Sequence, residues 1–450
     1  MIRRLVLASA LLAAGAFAQG DLRLVIVDPG HFHAALVQKE MYPFLSPRVA
    51  VYAPLSPELV DYLNRVSLFN LRPDNPTRWE LDVHTGMDYF DRMLREKAGN
   101  VAMFTGRNRG KIDRILRVQA AGYHVYADKP WIIASADLPK LEKALATAER
   151  QGLAAYDIMT ERFEITSVLQ RELVNTPEVF GKLVNGSVAE PGIRARSIHH
   201  IMKAIAGVPI KRPVWFFDIG EYGEALADVG THVVDLVQWT AFPRQAIDYR
   251  KDIRILDGKG WPTPVTKAQF AQVTGEPDFT PELKRWVREG RLEYYSNNAV
   301  HYLLRGVDVR LDILWNWEAP EGSGDVYEAS FRGTRARIEI RQGSPEKYQP
   351  ELYVVPEKDA AGDVFRALER TTGAWQAKWP GVKAEVLAGR EARIEIPARY
   401  RVGHEAHFAQ VTNRFFEYLR DPKKMPAWEK PNMLAKYYVS TKGVEIGHVH

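Results

Sequence analysis

Three segments set groups capable of proton or anion chemistry at the ends of apolar runs. The first is Asp28-Pro29-Gly30-His31-Phe32-His33, directly after Leu22–Val27. A strand end followed by a glycine turn exposes backbone N–H groups at a helix N-terminus, which favours an anion. Laid against G-x-G-x-x-G, only the middle glycine stands, as Gly30, the one that lets backbone approach a pyrophosphate; His33 replaces the glycine used for close helix packing. Taken alone, this reads more simply as a tight turn that needs one glycine. The second strand ends Tyr52-Ala53-Pro54, without the acid that normally holds a ribose hydroxyl. The second segment, His124–Trp131, places Lys129 at a strand end, with Pro130 fixing the backbone behind it. The third, Gly223–Asp235, holds Asp228 and His232 four residues apart, one helical face, with Asp235 three further on. A carboxylate one turn away raises imidazole basicity and orients the ring.

Other groups are less committed. His199, His200 and Lys203 suit either a pocket or a polar loop. His404 and His407, at i and i+3, are too few for a metal without a third ligand, so no metal site is expected. Trp215-Phe216-Phe217-Asp218 can stack on a sugar ring or fill a core. Glu161-Arg162-Phe163 follows the last strand of the first domain. Asn185-Gly186-Ser187 fits a glycosylation sequon. The chain has no cysteine, which removes disulfides, thiolate metal sites and a cysteine nucleophile.

The elements that must position these groups alternate in the first half. Strands are expected at Leu22–Val27, Arg48–Tyr52, Val101–Thr105, His124–Ala127 and Ala154–Ile158. Helices are expected at His33–Met41, Pro57–Phe69, Lys111–Ala121 and Leu138–Gln151, with residues 85–97 amphipathic. Such alternation implies βαβ units on a parallel sheet. After residue 160 the grammar changes. A helix at Ile165–Val174, a strand at Lys182–Val188 and a helix around Glu224–Trp239 precede period-two runs at Val307–Trp315, Asp325–Arg332, Ala336–Arg341 and Leu352–Pro356, which read as an antiparallel sheet. Residues 257–292 read as surface loops with a short helix, and 405–420 as an amphipathic helix. The expected architecture is an α/β Rossmann-like domain, residues 21–155, followed by an α+β domain, residues 156–450, with an open, mostly antiparallel sheet.

Composition agrees with a globular protein. The 450 residues are 46% hydrophobic and 26% charged, and the 61 basic residues nearly balance the 56 acidic ones. No basic block stands out, so a nucleic-acid partner is not expected. Arg3-Arg4, the apolar stretch from Leu5 and Ala16-Phe17-Ala18 read as a cleavable leader over residues 1–18, too short for a stable membrane anchor. A periplasmic or secreted protein is expected.

Phe104-Thr105-Gly106-Arg107-Asn108, then Asp128-Lys129-Pro130, then the Gly223–Asp235 segment together resemble the glucose–fructose oxidoreductase / inositol dehydrogenase (Gfo/Idh/MocA) family, which carries a Thr-Pro-Asn-like turn, a Glu-Lys-Pro motif and a Gly-Gly-x-x-x-Asp-x-x-x-His helix. The resemblance covers roughly residues 22–240 by motif order. It departs at Asp128, where the family has Glu, at Gly106-Arg107, which replaces the Pro, and in the glycine fingerprint. It implies NAD or NADP bound by Gly30, His31, Phe32, Thr105, Asn108 and Lys129. It implies catalysis by Lys129 and His232, with Asp228 orienting the imidazole and the roles of Lys129 and His232 exchangeable. The implied substrate is a sugar, glycoside or polyol, and the open sheet is a surface for homo-oligomers. Two alternatives stay open: redox-assisted glycoside cleavage on the same scaffold, and an exported sugar-binding protein with a decayed cofactor site.

A nicotinamide enzyme outside the cytoplasm must leave the cell with its cofactor, hence folded, and paired arginines suit twin-arginine export. Changing Arg3 and Arg4 together to lysine is expected to trap the protein inside the cell. Undiminished export in a fractionation assay counts against that route.

Overall fold

The structure, a computed structural model, describes residues 22–205, 208–388 and 390–448; the expected leader lies outside the described residues. Six strands form the first sheet: β1 (Leu24–Val27), β2 (Arg48–Ala53), β3 (Glu80–Thr85), β4 (Val101–Phe104), β5 (His124–Ala127) and β6 (Ala155–Asp157). Their order is β3-β2-β1-β4-β5-β6, and every pair is parallel. This is the doubly wound, Rossmann-like arrangement, with its switch point between β1 and β4. β1 and β4 are apolar and buried throughout because both faces are covered. Val25 and Val27 join one hydrophobic cluster, while Leu24 and Ile26 join the other. The second cluster is completed by the helix His404–Arg420, whose Phe415 stacks on Tyr126 at 4.4 Å between ring centroids.

The first crossover departs from expectation. Instead of a helix over His33–Met41 there is one turn, His33–Leu36. Side chains take the carbonyls that a longer helix needs: the Trp79 indole donates to Gln38 O at 2.6 Å, and Arg72 donates to Lys39 O at 2.7 Å. β3 was not expected; it is a half-exposed edge strand without a clean alternation of burial.

The second sheet has ten strands. They are β7 (Ile193–Met202), β10 (Ile253–Val265), β11 (Val287–Arg288), β12 (Arg291–Leu304), β13 (Val307–Glu318), β14 (Val326–Arg332), β15 (Ala336–Arg341), β16 (Glu351–Pro356), β17 (Lys383–Leu387) and β18 (Glu391–Glu395); β8 (Ala204–Ile205) and β9 (Val208–Pro209) form a separate ribbon. The order is β10-β12-β13-β7-β14-β15-β16-β18-β17, with β11 paired to β12, antiparallel except where β7 lies parallel to β13. Lys182–Val188 is not one of these strands. Residues 257–292, expected as surface loops with a short helix, do hold the helix Lys267–Thr274 but also contain most of β10, whose glycines and prolines obscured it. Gly258 is needed there, because a β-carbon would sit 2.6 Å from Gly443 O on the helix Glu429–Gly447 that crosses the strand.

The sheets are joined by buried charge. Lys436, on that helix, donates to Asp157 at the end of β6 (2.6 Å) and lies 3.7 Å from Asp235 on the helix Gly230–Ala241. Arg162 makes a two-pronged contact with Asp235 (2.6 and 2.7 Å) and reaches Glu429 at 2.8 Å. Removing one partner of such a set leaves charge stranded in the interior, at a cost of about 3–5 kcal/mol. Arg162→Met is therefore expected to destabilise the protein by that order in a urea titration. A loss under about 0.5 kcal/mol, the usual effect of a surface change, would show that the network is not structural.

Candidate active site

β5 runs out at Ala127 into Asp128-Lys129-Pro130-Trp131, with a cis Lys129–Pro130 peptide. Four contacts hold this turn. Asp128 N donates to Phe104 O at 2.7 Å, and Trp131 N donates to the Tyr437 hydroxyl at 3.0 Å. The fully buried Lys111 ammonium donates to Asp128 O (3.1 Å) and Pro130 O (3.0 Å), and its third donor goes to Asn108 Oδ1 (2.6 Å). Burial lowers the Lys111 pKa to about 7, against the pull of Asp128. Sequence reasoning missed Lys111; nothing distinguishes it from any lysine opening a helix.

Lys129 forms an ion pair with Asp228, with side chains 14% and 3% exposed. The other Asp228 oxygen accepts from the Tyr222 hydroxyl at 2.8 Å. Asp228 lies in the turn before the helix Gly230–Ala241, not within it. The expectation that it orients His232 is therefore corrected: its carboxylate is committed to Lys129 and Tyr222. His232 is half-buried, and its Nδ1 is buried without a hydrogen-bond partner. Burial, then the charges of Lys129 and Lys436, hold this imidazole well below its ordinary pKa, so it is neutral. Lys129 and Asp228 meet in that ion pair at the junction of the two sheets, and the Lys129 charge reaches His232. Asp235 does not join them, being bound to Arg162. Glu161 does: burial, then the Glu164 charge, raises its pKa to about 7 against the opposing charge of Lys129.

The residues expected to hold a dinucleotide divide. Gly30 is a glycine for packing: a β-carbon there would lie 3.0 Å from Gly106 Cα and 3.1 Å from the Trp215 ring. Asn108 is buried and spent on protein contacts, donating to Tyr222 O at 2.6 Å. His31 turns to Asp128, and Phe32 packs beside Arg65. Thr105 is buried with an unpartnered hydroxyl. Beside it, over the ends of β1, β2 and β4, opens a cavity of about 460 Å³ lined by Asp28, Pro54, Arg107, Arg109, Arg114 and Glu221. Arg114 Nε is buried without a partner. Three guanidinium groups at the switch point, with orphaned donors beside them, fit the phosphates of a dinucleotide. Any anion affinity here would come from the arginines rather than from an extended helix N-terminus, because the helix after Gly30 is a single turn.

The remaining candidates fall elsewhere. His199, His200 and Lys203 gather on Asp325, with His199 Nδ1 at 3.0 Å and Lys203 Nζ at 2.5 Å. The Trp215 indole donates to Glu58 at 2.8 Å, and Phe216 and Phe217 are core. His404 and His407 do not act as a pair. His404 Nε2 meets His33 Nε2 at 2.8 Å, while His407 Nε2 is buried unpartnered.

Residues 169–448 match the family described as "Putative oxidoreductase C terminal domain". A crystal structure of a "putative oxidoreductase" from Parabacteroides merdae is 44% identical, covering 96% of this chain and 99% of that one, with a TM-score of 0.94. Two distant structures share the fold. Levoglucosan dehydrogenase, in complex with NADH and levoglucosan, is 12% identical over 95% of this chain and 97% of that one, with a TM-score of 0.58. KijD10, a 3-ketoreductase from Actinomadura kijaniata in complex with TDP-benzene and NADP, is 12% identical over 95% and 98%, with a TM-score of 0.55. No curated protein sequence matches.

Glu161 gives a pH prediction. Its folded pKa, about 7, lies above its ordinary value of 4.5, so the native state binds more protons than the unfolded state between those values. Stability falls as pH rises through that window. Glu161→Gln removes this component. The melting temperature of the variant relative to the parent should climb from pH 4.5 to 7 and then level off; a difference independent of pH would contradict the assignment.

Proposed function

The chain belongs to the oxidoreductase C-terminal domain family, and on that premise we propose that it is an NAD(P)-dependent oxidoreductase of the Gfo/Idh/MocA type, exchanging a hydroxyl and a keto group on a sugar, glycoside or polyol. The observation that carries this is the Lys129–Asp228 pair, sequestered beside a neutral, unpartnered His232 at the junction of the two sheets. Similar folds in levoglucosan dehydrogenase and KijD10, one with NADH and a sugar, the other with NADP, support the substrate and cofactor class.

Arg107, Arg109 and Arg114 would hold the dinucleotide's phosphates, with Thr105 and the turn at His31 and Phe32 beside them. When bound, its nicotinamide supplies hydride exchange with the carbinol carbon. Lys129 Nζ, aimed by Asp228, donates to the reacting oxygen and stabilises alkoxide charge as it develops. Tyr222 holds the second Asp228 oxygen, so the carboxylate cannot swing away from the ammonium. His232 Nε2, opposite the buried Nδ1, takes the hydroxyl proton; a neutral imidazole is the form that can accept it. Asp228 is thus a positioning residue for Lys129.

Small molecules released from the purified, denatured protein and identified by mass spectrometry should include NAD or NADP. Lys129→Met and His232→Ala should each lower turnover per folded, cofactor-loaded molecule by ~10²–10⁴-fold, and Lys129→Met should also lower the melting temperature, because it strands the buried Asp228 carboxylate. Near-normal turnover in both variants would place the chemistry elsewhere.

A further inference from the structure

The turn after β1 carries an H-x-H pair whose two rings point at one carboxylate. His31 Nδ1 lies 2.9 Å from Asp128 Oδ2, and His33 Nδ1 lies 2.9 and 3.0 Å from Asp128 Oδ1 and Oδ2. One candidate ligand atom from each of His31, His33 and Asp128 falls within 4.8 Å of the others, and no other group of this kind occurs among the described residues. His33 and Asp128 are buried, while the His31 side chain is 42% exposed. Behind His33, its Nε2 is 2.8 Å from His404 Nε2, at the start of the helix His404–Arg420.

We propose that His31, His33 and Asp128 form a binding site for a divalent transition metal, with His404 as the outer partner that sets the His33 tautomer. Two imidazoles and a carboxylate are the donor set that Zn²⁺, Co²⁺, Fe²⁺ and Mn²⁺ accept. In a tetrahedral site with bonds of ~2.0–2.1 Å, neighbouring ligand atoms stand about 3.3 Å apart. The separations of 2.9–3.0 Å between each Nδ1 and its Asp128 oxygen need to open by a few tenths of an ångström, and the two imidazole nitrogens, within 4.8 Å of each other, settle to the same spacing as the exposed His31 ring turns.

The protons balance. In the metal-free protein, Nδ1–H of each ring donates to Asp128, and His404 Nε2–H donates to His33 Nε2. When metal binds Nδ1 of His33, that ring carries its proton on Nε2 and donates it to His404 Nε2, while the His404 proton moves to its Nδ1. The contact is kept with its polarity reversed, as a metal-bound imidazole requires of its second nitrogen. His31 likewise shifts its proton from Nδ1 to Nε2. No proton is lost from these imidazoles, because each changes tautomer only. Asp128 already bears the charge that offsets half of the metal's, and the nearby Lys129 ammonium is matched by Asp228.

Three protein ligands leave a coordination position open, the signature of a metal that takes water or a substrate oxygen rather than a purely structural ion. The site rests on its own geometry and stands or falls independently of the dinucleotide.

The test is metal binding by the full chain. Chelator-treated protein is titrated with Zn²⁺ by calorimetry, and with Co²⁺ by visible absorption, which reports four-coordinate geometry directly. One metal per chain is expected. His31→Gln, His33→Ala and Asp128→Asn should each weaken binding by at least ~100-fold, and His404→Ala by ~10–100-fold, the usual worth of an outer partner. His407→Gln, on the same helix, should leave the affinity unchanged. Melting temperatures identify any variant that fails to fold, and the half-exposed His31 keeps the test valid in that event. Sub-stoichiometric binding by the parent, or parent-like affinity in His31→Gln, would overturn the proposal. Metal bound without dinucleotide would leave this site standing and sink the cofactor reading instead; dinucleotide without metal would do the reverse.

Discussion

Five charged side chains taken out of water hold the two sheets in one arrangement. Asp157 ends a strand of the first sheet, Asp235 sits on the helix that carries His232, and Lys436 and Glu429 lie on the C-terminal helix, with Arg162 tying them together. Burying such groups singly is expensive, and the expense is offset only when every partner is in place. The arrangement therefore tolerates little sliding between the sheets. Tyr437 extends it to the chemistry, binding Asp157 at 3.2 Å and the Trp131 backbone N–H at 3.0 Å, two residues past Lys129. A clamp made of charge at the back of the cleft thus fixes the angle at which Lys129 meets the second domain.

A second layer of charge acts closer in. Lys111, buried beneath the turn, satisfies two backbone carbonyls that would otherwise be stranded at the end of β5. Lys129 gains Asp228 and Asp228 gains Tyr222, so the site presents a held ammonium with its counter-ion already immobilised. In the proposed reaction that is preorganisation: the donor would be in place before any oxygen develops charge.

The crevice over β1 and β4 is built from different parts than a glycine fingerprint supplies. Gly30 and Gly106 bring two turns into contact, and Trp215 crosses from the second domain onto them. The backbone is thereby occupied by protein, and arginine side chains line the cavity beside it. His33, standing where a glycine fingerprint has its last glycine, and His31 two residues before it face Asp128 instead.

The sequence alone determined much of the scaffold. Leu24–Val27 and Val101–Phe104 are apolar at every position because both faces of a central parallel strand are covered, and that pattern is local. The positions of Lys129 at a strand end and of His232 on a buried helix were legible for the same reason, since each depends on its immediate neighbours. β10 and β3 were not legible: Gly258 answers to a helix at the far end of the chain, and β3 is an edge strand with little burial to imprint a period. Partnerships were decided only by the tertiary structure. Asp228 looked paired with His232 at four residues' spacing, yet it closes on Lys129, 99 residues away. Asp128 meets His33 across 95 residues, and His33 meets His404 across 371. Periodicity records which face of an element is dry. Which charge or lone pair is satisfied, and by whom, depends on how dry faces stack, and a buried polar group takes whichever partner that stacking brings within about 3 Å.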